Sequence, residues 1–222
     1  MLFSDPQQFI INALYAIPGL LLGLVLHEWA HARVAVARGD QTPRLDGRLS
    51  LDPSHHLDPL GTIAVFLIGF GWARPVRINP SRMRHRFDAA LVALAGPAMN
   101  LLVAVGLSIP LRALISPTGS VATQTFTSST PGVILITVLF VAFRLNVLLA
   151  VFNVLPVPPL DGYNLVDTLF RRRFPRLFFQ IDSYRMVISL GLLLVLFLVP
   201  GVFTTVFNAV FIPISTLLGV AP

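Results

Sequence analysis

"GLLLGLVLHEWAHARVAVARGD", residues 19–40, decides how the rest of the chain is read. The eight residues before His27 carry no charge, and then His27, Glu28 and His31 arrive within five positions. On a helix, residues four apart share a face, so His27 and His31 point the same way one turn apart. Two imidazoles at that spacing can hold one tetrahedral Zn2+, and Glu28 beside them can take a proton from water on the metal. This is the HExxH spacing of zinc hydrolases. At about 1.5 Å of rise per residue, His27 lies roughly 16 Å of helix before Arg38. Ionisable groups at such depth in an apolar helix are expensive and usually functional.

The composition supports a membrane setting for this helix. Of 222 residues, 55% are hydrophobic and 12% charged, with a mean hydropathy of +0.79. A soluble domain carries about 25% charged residues. Cysteine is absent, which excludes disulfides, thiolate metal sites and cysteine nucleophiles. All 16 basic residues are arginine, and Glu28 is the sole glutamate. The formal charge of +6 does not point to nucleic acid. The arginines flank apolar runs, as the positive-inside rule requires, and the lipid bilayer, with anionic lipid in it, is the partner they suit.

Working outward, residues 9–37 form the first spanning helix, with a bend expected at Pro18-Gly19. No basic segment precedes this run, so it does not read as a cleavable signal peptide. Asp46-Gly47 lies between short alternating runs and predicts a small β-hairpin. Residues 60–71 are apolar but short, which suits a re-entrant segment better than a span. Arg74, Arg77, Arg82, Arg84 and Arg86 mark a cytoplasmic loop. Residues 88–115 and 133–155 form an out-and-back pair of spans, joined by a polar external loop over 116–132. Arg171, Arg172, Arg173 and Arg176 mark the cytoplasm again. Residues 186–219 are one long bent span or two short ones. The expectation is a single all-α polytopic domain over 1–222, with a core at 9–165, in the cell membrane. Its active site opens toward the cytoplasmic side.

A catalytic zinc needs three protein ligands and an open position, so a third ligand must come from elsewhere. Asp161, in "NVLPVPPLDG" (153–162), is the foremost candidate. Pro156, Pro158 and Pro159 break the helix, and Gly162 permits a tight turn. Non-helical backbone near the membrane persists where it is buried or lines a cavity. His55 and His56, in a polar loop, compete for the third place, and His56 is placed to reach the cavity. His85, among arginines, reads as surface. Arg144 stands in an apolar run and faces either the cavity or a neighbouring helix.

Three motifs, in order, resemble those of the site-2 proteases, intramembrane zinc metalloproteases. "HEWAH" (27–31) resembles the zinc helix, "GPAMN" (96–100) the GPxxN signature, and "NVLPVPPLDG" (153–162) the NxxPxPxLDG motif. "GRLSLDPSHHLDPLGT" and "GWARPV" resemble the compact prokaryotic branch, which lacks a PDZ domain. The resemblance implies one Zn2+ held by His27, His31 and Asp161, with Glu28 as catalytic base. It implies that Asn153 contacts the substrate backbone or the oxyanion, and that Gly96, Pro97 and Asn100 line the cavity. The substrates implied are single-pass membrane proteins, cleaved in or near their transmembrane segment. The hairpin would offer them an edge strand, and filtering would fall to the membrane core or a separate regulatory protein. A divalent-cation transporter would use the same histidines, but such proteins tend to show two repeated halves, and no repeat is evident.

Overall fold

Among the described residues, three helices are long and apolar enough to cross a bilayer: α1, Pro6–Ala37; α3, Asp88–Ile115; and α5, Thr130–Val154. Each exceeds the ~20 residues that a bilayer core requires. The computed structural model describes residues 5–61, 64, 73–116 and 120–220. The shorter α-helices between these spans include α2 (Thr42–Leu45) and α4 (Val121–Ser128). After them come α6 (Asp161–Phe170), α7 (Pro175–Ser183), α8 (Arg185–Leu198) and α9 (Pro200–Leu217).

The packing of α1, α3 and α5 on one another inverts the pattern of a water-soluble bundle. Ala32, Ala35, Ala93, Ala104, Ala142 and Ala150 are buried between helices, while Leu14, Leu102 and Ile109 are 59%, 63% and 69% exposed. Lipid gives helices no hydrophobic reason to associate, so close van der Waals packing of small residues takes over. The large side chains then meet acyl chains. On the flank, Phe143 and Val147 of α5 and Leu111 of α3 pack with Phe207 and Phe211 of α9 in one buried cluster. Arg144 faces outward, with its guanidinium carbon 5.7 Å from the Phe207 ring centroid. It joins two helices as a cation–π contact.

Several sequence expectations change. The hairpin at Asp46-Gly47 is absent: residues 42–45 form a helical turn, followed by Gly47 at φ +72. Pro43 suits the first turn of a helix, and the backbone is satisfied locally by Leu45 N to Gln41 O at 3.1 Å and Arg48 N to Pro43 O at 2.9 Å. Among the described residues the one β-bridge pairs Leu57 with Ala73. The edge strand that this hairpin would have offered the substrate is therefore not there. The expected re-entrant segment, 60–71, falls largely outside the described residues. The polar stretch 116–132 contains α4, because Ser120 caps it by accepting from Thr123 N and its hydroxyls bond back to helix carbonyls. Pro18 lies within a continuous α1. Residues 186–219 form two helices, broken at Val199.

The polar loop after α1 is tied down by Asp40, which is fully buried. Its carboxylate accepts from Thr42 N at 3.0 Å, Thr42 Oγ1 at 2.6 Å and Asn79 N at 2.6 Å. Burial works to raise the Asp40 pKa, but these hydrogen bonds outweigh it and lower the value below 3.8. A group with a depressed folded pKa contributes stability that is complete above the unfolded value and is lost as pH falls through the folded one. Asp40→Ala should therefore speed proteolysis within 41–87 while leaving helix content unchanged by circular dichroism. The wild-type loop should hold down to about pH 4 and loosen only below it.

Candidate metal centre

Three ligand atoms from distant parts of the chain converge in the bundle. His27 Nε2 and His31 Nε2 are 3.1 Å apart, and Asp161 Oδ2 lies 3.1 Å from the first and 3.2 Å from the second. Both histidines are 5% exposed. These separations are close to the edge of a tetrahedron whose bonds are about 2 Å, the Zn–N and Zn–O distance.

The partners of the other ring nitrogens explain why a cation belongs there. His27 Nδ1 donates to Asn100 Oδ1 at 2.6 Å, and His31 Nδ1 donates to the Val92 carbonyl at 2.7 Å. The orientation of the Asn100 amide is set independently, because its Nδ2 donates to Gly23 O at 3.1 Å and Asn146 Oδ1 at 3.0 Å. With both protons committed to Nδ1, each neutral imidazole presents a bare Nε2 lone pair. Two such lone pairs and a carboxylate oxygen facing one another repel, and a bound cation satisfies all three.

Gly96 forms the floor of this cradle. A Cβ added there would sit 2.6 Å from His27 Nε2 and also collide with His31 Nε2, in the space between the ligands. Pro97, one residue on, removes an amide from the α3 ladder. Asp161 arrives by a different route. Residues 155–160 leave the helical path, and Asp161 opens α6. Gly162 packs directly on the Val154 carbonyl, where any Cβ would clash. That contact folds α6 back against the end of α5.

Glu28 follows His27 on α1 and is 9% exposed. Its Oε2 accepts from Val76 N at 2.9 Å, which leaves Oε1 as the oxygen that Val76 does not hold. The loop that supplies this donor is organised by Arg48, itself 5% exposed. The Arg48 guanidinium donates to the carbonyls of His55, Arg74 (3.1 Å) and Pro75 (3.3 Å). It thereby holds the residue next to Val76.

The Peptidase family M50 model matches residues 15–198. The chain belongs to peptidase family M50. It is 36% identical over 187 residues to YwhC of Bacillus subtilis, named as a candidate zinc metalloprotease, covering 84% of this chain and 81% of that one. It is 33% identical over 189 residues to Rip2 of Mycobacterium tuberculosis strain H37Rv, named likewise, covering 83% of this chain and 66% of Rip2. No solved structure matches the chain. As an M50 protein it is a membrane-embedded zinc metalloprotease of the site-2 type, and zinc is the metal its donor set suits.

Within this M50 centre the structure brings together His27, His31, Asp161, Gly96 and Asn100. Asn153 is placed differently: its Nδ2 donates to Leu149 O of its own helix at 2.9 Å, and among the described residues no hydrogen bond links it to the triad. His56 is buried in the loop, with Nε2 2.7 Å from Ser50 O, apart from the three ligand atoms. Sequence reasoning missed Asn146 and Arg48. Asn146 is a fully buried amide in the middle of an apolar run, which is itself a functional signal. Arg48 carried no local signal, because its partners are main-chain carbonyls.

Gly96→Ala should abolish stoichiometric zinc, read by elemental analysis, with α-helical content retained. Asn100→Ala should weaken zinc affinity about 10- to 100-fold, the usual cost of losing a histidine's outer partner, read by competition with a chelator.

Proposed function

We propose that this protein is an intramembrane endopeptidase that hydrolyses a peptide bond in or near the transmembrane segment of single-pass membrane proteins. The observation that carries this reading is the buried convergence of two imidazoles and a carboxylate beside a second, separately held carboxylate. Bound zinc supplies Lewis-acid chemistry there, polarising a carbonyl and acidifying water.

The chain's own residues do the rest. His27, His31 and Asp161 are the zinc ligands. Glu28 is the general base: Oε1 accepts a proton from the attacking water and passes it to the departing amine. Val76 N, bonded to Oε2, fixes the carboxylate so that it does not swing away. Asn153, on the last turn of α5, retains an amide oxygen and one N–H for the substrate backbone.

The arginine-rich segments between the first two spans (74–86) and after the third (171–176) support an opening toward the cytoplasm. A transmembrane substrate must unwind before cleavage, since every carbonyl in a helix is already paired. Selection among substrates then rests on helix stability and the membrane core, or on a separate regulatory protein.

Glu28→Gln should bind one zinc as wild type and lose turnover of single-span peptides in detergent by at least about 100-fold. Retained turnover would refute the assignment of Glu28. Arg48→Met should also keep its zinc but lower turnover about tenfold, by releasing the loop that delivers Val76 to Glu28.

A further inference from the structure

The segment 171–185 carries charge that the catalytic centre does not use. Arg171 is committed internally: its Nε pairs with Asp167 at 2.5 Å and its Nη2 with Asp182 at 2.6 Å. Arg172, Arg173 and Arg176 are exposed and make no ion pair among the described residues. No acidic residue lies between 168 and 181, so these three charges stand uncompensated along the chain.

Helix α7, which follows them, has two distinct faces. Phe178 is 3% exposed and meets Tyr163 of α6, ring centroids 6.1 Å apart. Leu177, Ile181 and Tyr184 follow i, i+4, i+7 spacing, the period of a helix stripe. Leu177 is 51% and Tyr184 63% exposed and Ile181 is half-buried, so most of this stripe is open. At Tyr184 the chain bends by 68° into the apolar run Arg185–Val195. A short helix with an exposed arginine and an open apolar stripe, preceded by two more exposed arginines and turned sharply out of the direction of an apolar helix, has the geometry of a segment lying in the membrane surface.

Helix α7 is also linked to the metal centre. Asp182 accepts from Tyr163 Oη at 2.7 Å, and Tyr163 is two residues from Asp161 on the same helix. The ion pairs of Arg171 with Asp167 and Asp182 close the connection between α6 and α7.

We propose that α7 lies in the plane of the membrane surface, that Arg172, Arg173 and Arg176 bind the phosphate groups of anionic lipids there, and that this docking holds α6, and with it Asp161, against the zinc helix. The lipid site stands on charge and geometry alone, while the coupling to Asp161 rests on the metalloprotease reading. Positive charge against apolar side chains at a bend selects an anionic lipid headgroup over a zwitterionic one. Each arginine near such a surface is worth about a fivefold gain in affinity.

The absence of cysteine makes the test direct. The full chain with Leu177→Cys carries a bimane label and is placed in phosphatidylcholine nanodiscs containing a minor fraction of phosphatidylglycerol. Quenching is compared when one lipid or the other is brominated, and zinc release to a chelator is followed in discs with and without phosphatidylglycerol. Brominated phosphatidylglycerol is expected to quench beyond its bulk share. Combining Arg172→Gln, Arg173→Gln and Arg176→Gln should erase that excess. Zinc release should be several-fold slower with the anionic lipid present, and indifferent to it in the triple variant. Quenching in proportion to bulk composition, or an excess unchanged by the three substitutions, overturns the lipid site. Equal zinc release in both lipids overturns the coupling. A quenching excess in a preparation that cleaves no single-span peptide supports the lipid site and counts against the protease reading instead.

Discussion

Two imidazoles can serve a metal inside an apolar bundle only if something aims them. Here the aim is set by the far side of each ring, through Asn100 Oδ1 on His27 and the Val92 carbonyl on His31. Each bond fixes a tautomer and turns an Nε2 lone pair toward the same point. The Asn100 amide would cost free energy if buried unpaired. It is instead anchored on Gly23 and Asn146, and Asn146 donates to Gly19 and Ala142 carbonyls at 3.3 and 2.9 Å. The three spans are thus joined through a continuous polar path that ends on His27.

This path constrains the packing around it. Side-chain amides can bridge α1, α3 and α5 only if the helix backbones come close, which the alanines and glycines at the seams allow. Gly96 is the extreme case, since the ligands rest where its side chain would be. The GPxxN stretch therefore has a physical reading residue by residue: room for the rings at Gly96, a missing amide at Pro97, and an aimed acceptor for His27 at Asn100. On the polar side, Asp40 and Arg48 gather the loop between α1 and α3 by its main chain and present Val76 to Glu28. The His27–His31–Asp161 triad and the Glu28 carboxylate are in this way held by separate parts of the molecule.

Much of this was legible in the sequence, for identifiable reasons. The three spans announce themselves through length and hydropathy, and His27, His31 and Glu28 through helical spacing. Asp161 was legible because prolines force the chain out of the helix just before it. The hairpin at Asp46-Gly47 was misread, since the turn signal there belongs to a helical turn ended by Gly47 rather than to paired strands. The polar stretch after α3 was misread because serine and threonine can cap and satisfy a helix as readily as they fill a loop. Arg48 and Asn146 were illegible as site residues because their roles depend on which backbone carbonyls the tertiary fold brings near. No local pattern encodes that.

One metal ion shared by His27, His31 and Asp161 has a definite spectroscopic signature. X-ray absorption at the zinc edge of the purified protein tests it most directly. The expected spectrum shows a four-coordinate nitrogen–oxygen shell near 2 Å, with outer-shell scattering from two imidazoles, reduced to one in His31→Ala. An all-oxygen six-coordinate shell, or imidazole scattering unchanged by that substitution, would contradict it.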